Sequence, residues 1–313
     1  MEHSFENYAE NWLANKKNVL KETSYARYSL IIQNHLIPYF TGFDISEIDS
    51  FKVNEFMNFL KNRGNKKTGK GLNSKTISGY IQLLISITQD YRAEYELPYK
   101  PIRVKLEKTN EDVVPFLPNE ISVIKDYIFI HHTPKNLGVA VSLLLGLRIG
   151  EVCGLKWGNI DFKQKTMSID STIYRIYEKN EKEGSSRVIV GSPKTDSSKR
   201  VLPMTRTIYD LLLVCSTNHS PDDYVVTGKN TPAEPISYSS YFKRLLHKLG
   251  ITGPYTFHSL RHTFATNCIN SGMDYKSLSK LLGHSSITVT LDLYVHPQMS
   301  SMRDQLETME KCL

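Results

Sequence analysis

Three segments in the second half of this 313-residue chain concentrate side chains suited to handling a phosphate: GLRIGEVCGLKW at 146–157, HSLRHTFAT at 258–266 and LLGHSSITVTLDLYVH at 281–296. Arg148 and Arg261 can grip nonbridging oxygens through forked, charge-assisted hydrogen bonds, a geometry that lysine fits poorly. His258 and His284 offer a base or a donor, and a tyrosine such as Tyr294 offers a nucleophile that holds a phosphoryl group as an ester. Each segment alone also has a plain structural reading. Arg148 can be a helix-end cation or the partner of Glu151, one helical turn on. His258 and Arg261, three residues apart and so on one helix face, can be a packed histidine and a surface arginine. His284 follows Gly283 where one helix ends and another starts, and can simply cap it. Nor does chemistry select Tyr294 among 18 tyrosines, with Tyr174, Tyr255 and Tyr275 as competitors in the same half of the chain.

The elements that must position these residues fall into two regions. In the first hundred residues, Phe5, Ala9, Trp12 and Leu13 follow helical spacing behind Ser4, an N-cap residue. Residues 22–40 place Tyr25, Tyr28, Ile32 and Leu36 on one stripe, with Pro38 marking the end of that helix. Val53, Phe56, Met57 and Leu60 give a third helix, and Ile77, Tyr80, Leu84, Ile87 and Tyr91 a fourth. Such stripes predict a helical bundle. Periodicity fails around Tyr99 to Pro118, where four prolines surround a charged stretch, and this reads as an interdomain linker. Beyond it, helical spacing at 121–130 and 137–155 gives way to β-rich runs at 166–169, 172–177, 187–190 and 200–204, with a long hairpin tip at 178–186. Helical patterns return at 238–249, 260–271 and 275–282.

Composition narrows the partners. With 40% hydrophobic and 23% charged residues the chain is of ordinary globular make-up, which excludes disordered, collagen-like and coiled-coil classes. The longest nearly apolar stretch, 139–147, is far short of the ~20 residues a membrane span needs. The polar start, Met1-Glu2-His3-Ser4, lacks the pattern of a secretory signal, so a cytoplasmic location is expected. Four scattered cysteines without a Cys-x-x-Cys pair predict neither a disulfide framework nor a cysteine-based zinc site. Net charge is +7 with a pI near 9.0, which suits a polyanion. Lys61, Arg63, Lys66, Lys67, Lys70 and Lys75 fall in one acid-free stretch loosened by three glycines. That stretch reads either as a solvated surface loop or as a mobile segment making non-specific phosphate contacts.

Taken together, the order and spacing of the three phosphate-handling segments closely resemble the tyrosine recombinase (phage integrase) family, which includes Xer-type recombinases and integrases of mobile elements. The segment TSYARYSLIIQNHLIPYF resembles the family's helical core-binding domain. The resemblance implies a mainly α fold with a small antiparallel β-sheet, an α+β catalytic domain, and a two-domain C-shaped clamp on double-stranded DNA. It divides the chain into a DNA-binding domain at 1–100, a linker at 101–117, a catalytic domain at 118–298 and a C-terminal helix for protomer exchange at 299–313. By position it assigns Arg148 and Arg261 to the catalytic arginines, Lys194 to the hairpin lysine, His258 and His284 to the two histidines, and Tyr294 to the nucleophile. Glu151 supports the site. It further implies a homotetramer acting on paired sites, with no metal and no cofactor, since cations do the electrostatic work. The ten-residue spacing from His284 to Tyr294 and the long hairpin are more like mobile-element integrases than Xer enzymes. Type IB topoisomerases use similar residues, and a non-catalytic DNA-binding regulator would explain charge and helices but not six catalytic matches.

Overall fold

A computed structural model of the chain describes residues 3–106, 113–177, 186–193, 196–217 and 219–294, with 303, 306–307 and 309–310 beyond them. The chain divides into two compact units, Met1–Glu111 with Ile176–Arg187, and Asp112–Arg175 with Val188–Leu313.

The first unit is built on helices. α1 (Phe5–Asn15) starts where the Ser4 hydroxyl accepts from the Asn7 amide. α2 (Glu22–Ile31) runs through a π-helical stretch, Ile32–Leu36, into α3 (Ile37–Phe40). Asp49 caps α4 (Ser50–Arg63) and Asn73 caps α5 (Ser74–Glu94), each satisfying amides that the first helical turn leaves without an intrahelical acceptor. Phe5, Ile32, Phe40, Phe56, Leu60, Ile81 and Leu84 meet in a core from which water is excluded, each large side chain contributing about 1.5–3 kcal/mol by its burial. Pro38 does not stop the helix as its sequence position suggested. The Ile37 amide bonds back to the Ile32 carbonyl, and Pro38 falls in the first turn of α3, where a missing N–H breaks no ladder bond.

Two other expectations are adjusted here. The basic stretch is not one loop: Lys61 and Arg63 lie in the last turn of α4 and Lys75 in the first turn of α5. The connection between them is closed by hydrogen bonds, Asn65 N to the Lys70 carbonyl at 2.8 Å and Gly69 N to the Asn65 carbonyl at 2.7 Å. Gly71 lies so close to the Lys61 carbonyl that a Cβ there would sit 1.8 Å from its oxygen. In the expected linker, Ile102, Val104 and Leu106 pack against the core of this unit, and the Arg103 amide donates to the Ser50 hydroxyl.

The second unit surrounds α7 (Pro134–Leu145), whose faces are nearly all buried, as an all-round apolar helix requires. α6 (Pro118–Ile130) precedes it and α8 (Ile149–Gly154) follows. β1 (Ile160–Asp161), β2 (Thr166–Ile169) and β5 (Arg200–Pro203) form an antiparallel sheet in the order β1-β2-β5, with Met167 opposite Leu202. β3 (Thr172–Tyr177) pairs with β4 (Ser186–Gly191); of the hairpin tip expected at 178–186, Ser186 already belongs to β4 and 178–185 lie outside the described residues. Then come α9 (Arg206–Cys215), α10 (Pro235–Lys248), α11 (Phe257–Asn270), α12 (Tyr275–Leu282) and α13 (Ile287–Tyr294). The fold is thus mainly helical with small antiparallel sheets, and among the described residues no helix is long and apolar enough to cross a membrane. Of the expected C-terminal helix, the described residues are helical and exposed, Leu306 and Met309 among them.

Candidate active site

The site is organised by the C-terminus of α12. This helix ends as Gly283 turns left-handed (φ 66°), with the Gly283 and His284 amides bonding back to Lys280 and Ser279. The last carbonyls of a helix carry its negative dipole end and lack intrahelical donors. Here three guanidiniums take them up. Arg200 Nε donates to Leu281 O at 2.6 Å, Arg261 Nη2 to Leu282 O at 2.8 Å and Arg148 Nη1 to the same oxygen at 3.2 Å.

Beneath them lies Glu151, only 3% exposed. It accepts from Arg148 Nη1 and the Arg148 amide, both at 2.9 Å, and from Arg200 Nη1 and Nη2, both at 3.0 Å. Burial alone would raise its pKa, but the hydrogen bonds and charges of Arg200 and Arg148 outweigh that and hold the carboxyl below its usual range. The amide bond fixes the start of α8, so Glu151 sets both the backbone and the guanidinium of Arg148.

Arg261, on α11, is the largest fully buried side chain in the described structure. Its Nη1 donates to Gly146 O at 2.8 Å. Gly146 ends α7 with φ +71°, and a Cβ there would lie 2.4 Å from the ring of Phe264, so no other residue fits the turn that aims Arg148 inward.

The histidines complete the cluster. His284 Nε2 lies 2.9 Å from Arg261 Nη2, and its Nδ1 lies 2.8 Å from the Thr290 hydroxyl on α13. Desolvation, then the charges of Arg261, Arg148 and Arg200, push its pKa down to about 4. His258 stands one turn before Arg261 on α11 and is exposed to solvent. The protein packed around it, then Arg261, His262 and Arg148, likewise lower its pKa to about 4. Both rings are therefore neutral near neutral pH. Three guanidiniums against one carboxylate leave the cluster positive, which complements a phosphodiester.

The structure thus brings together Arg148, Glu151, Arg261 and His284 by direct hydrogen bonds and His258 within electrostatic reach. Arg148 is also the partner of Glu151 that its spacing suggested. Lys194 lies outside the described residues. Tyr294 closes α13, and its side chain is likewise outside what is described. Two residues of the cluster were not singled out from sequence: Arg200, whose position after Lys199 carries no distinguishing signal, and Thr290.

Residues 116–301 match the phage integrase family and residues 4–61 the N-terminal SAM-like domain of phage integrases. A XerC-like tyrosine recombinase of Caldanaerobacter subterraneus is 29% identical over 86% of this chain and 72% of its own. The ICEBs1 integrase of Bacillus subtilis is 25% identical over 99% of this chain and 83% of its own. Among solved structures, the Tn1549 transposon integrase in complex with a circular intermediate DNA shares the fold, with a TM-score of 0.78, 22% identity and coverage of 98% of this chain and 99% of that one. The chain belongs to the phage integrase family, the tyrosine recombinases, enzymes that cleave and rejoin DNA strands in site-specific recombination.

Proposed function

We propose that this recombinase integrates and excises a mobile element through a 3′-phosphotyrosyl intermediate, with Tyr294 as nucleophile. The observation that carries the assignment of roles is the cationic cluster at the end of α12, directly ahead of the helix that ends in Tyr294. Arg148 and Arg261 hold the nonbridging oxygens and stabilise the charge of the pentacoordinate transition state. His258, neutral at physiological pH, takes the tyrosyl proton as the phenolate oxygen attacks phosphorus. The 5′ oxygen leaves with a proton from Lys194, and rejoining reverses both transfers. Glu151 orients Arg148, and His284 donates to the phosphate once DNA is bound. The ester conserves the energy of the broken bond, so strands are rejoined without an external energy source.

The helical unit holds duplex DNA, with the exposed Lys61, Arg63, Lys66, Lys67, Lys70 and Lys75 on phosphates. Exchange between two duplexes cuts four strands, one per tyrosine, and so calls for four protomers, linked by C-terminal helices docking in the neighbouring protomer. The mobile-element role is supported by the ICEBs1 integrase aligning along 99% of the chain; the XerC-like relative favours chromosome dimer resolution as the second reading. The test is to supply the protein with a plasmid carrying the DNA that flanks its gene. An excised circle with joined ends supports the element role, and recombination confined to chromosomal terminus sites supports dimer resolution.

A further inference from the structure

His284 has hydrogen-bonding partners on both ring nitrogens, and their chemistry fixes where its proton sits. A guanidinium can only donate, so at 2.9 Å from Arg261 Nη2 the Nε2 atom presents its lone pair. The neutral ring then carries its proton on Nδ1 and donates it to the Thr290 hydroxyl at 2.8 Å. Thr290 is completely buried, on α13 and one turn ahead of Tyr294. In this arrangement Nε2 has nothing to donate to a phosphate.

We propose that Thr290 is a positioning residue for DNA cleavage, whose hydroxyl accepts from the Nδ1–H tautomer that Arg261 imposes on His284 in the free enzyme and equally serves the Nε2–H tautomer when a phosphodiester is bound. A phosphate oxygen arriving at Arg261 takes the Nη2 hydrogen that His284 now accepts. His284 Nε2 then gains a proton from water and Nδ1 gives one up to water, so the ring's proton count is unchanged. The Thr290 hydroxyl turns from acceptor to donor toward Nδ1, which a hydroxyl allows and a carboxylate or a methyl group does not. Because Thr290 belongs to the helix that ends in Tyr294, the exchange ties the state of the phosphate site to the seat of the nucleophile helix. This inference rests on the placement of the active site proposed above.

The ring nitrogens of the full chain, labelled with 15N-histidine and free of DNA, give the test, with His284 assigned by the signal lost in His284→Gln. Wild type, Thr290→Ser and Thr290→Val are all expected to show the proton on Nδ1, because Arg261 sets it. On a nicked duplex selected for binding by this protein, Thr290→Val should form covalent adduct about tenfold more slowly, the loss of one hydrogen bond's worth of free energy, at unchanged DNA affinity, while Thr290→Ser stays near wild type. A wild-type His284 protonated on Nε2, or a Thr290→Val protein with wild-type cleavage, overturns the proposal. Should Thr290→Val fail to fold, the wild-type and Thr290→Ser spectra and cleavage rates decide it. The DNA-free spectra need no chemistry, so they stand apart from adduct loss in Tyr294→Phe, which tests the parent assignment.

Discussion

Glu151 shows what a single buried charge does in this site. It is shared by Arg148 and Arg200, and Arg200 is only 6% exposed. Arg200→Met leaves the buried Glu151 with Arg148 alone and the Leu281 carbonyl without its donor, so it should lower the unfolding free energy by about 2 kcal/mol in urea titrations. It should also loosen Arg148, the residue that Glu151 aims. The histidines set the acid limit of the free protein. Their folded pKa values, about 4, lie below the 6.5 of an unperturbed histidine, so between pH 6.5 and 4 the unfolded chain binds more protons than the folded one. Stability therefore falls as the pH drops through that window. Glu151, with a depressed carboxyl pKa, has its stabilising effect above its unfolded pKa and loses it at still lower pH. Melting temperatures of the DNA-free protein should decline from pH 6.5 to 4; a flat profile there would contradict the depressed pKa of the part-buried His284.

At the scale of elements, what the sequence made legible was what local pattern controls. The alternating β-branched runs placed β2, β3 and β5 almost to the residue, while Arg148, His258, Arg261 and His284 were singled out by residue type and given their roles only by the family resemblance. Arg200 was not, because its meaning comes from Glu151, 49 residues away in the chain, and from carbonyls at the end of α12. Thr290 was hidden likewise, since only the fold brings its hydroxyl to His284. The π-helical stretch before Pro38 was missed because proline reads as a stop, and nothing local shows that the preceding turn widens to absorb it. The basic stretch shows the same limit: its charge was plain, while its division between the end of α4 and the start of α5 was not. Cations in a last helical turn also complement the dipole there, so Lys61 and Arg63 have a structural role besides any DNA contact. The connecting Lys66, Lys67 and Lys70 separate the two. Replacing these three by Gln should weaken binding equally for cognate and unrelated duplexes and reduce the log-log salt slope by about 0.9 per lost phosphate contact. An unchanged slope would mean that this turn only faces solvent.

At the scale of the whole molecule, the proposed nucleophile and the proposed assembly element lie close together in the chain, Tyr294 ending α13 and the tail following it. Leu306 and Met309 are exposed, although Met302, Leu306, Met309 and Leu313 form one apolar stripe at helical spacing. A short helix with an exposed apolar stripe is marginal alone and gains its stability by docking. Deleting residues after Ser300 should leave binding to a single site largely intact and reduce synapsis of two sites, read as loss of the four-protomer complex in native mass measurements; normal assembly of the truncated protein would remove the tail from the mechanism. The central claim is that strand cleavage passes through an ester on Tyr294, and one measurement addresses it most directly. Wild-type and Tyr294→Phe proteins are mixed with a nicked duplex carrying the recombination site, quenched in SDS and separated under denaturing conditions. Wild type is expected to give a covalent protein–DNA adduct and Tyr294→Phe none, with the DNA affinity of Tyr294→Phe within about threefold of wild type, since the phenol oxygen serves the covalent step and not binding. Adduct formation by Tyr294→Phe at the wild-type rate would contradict the claim.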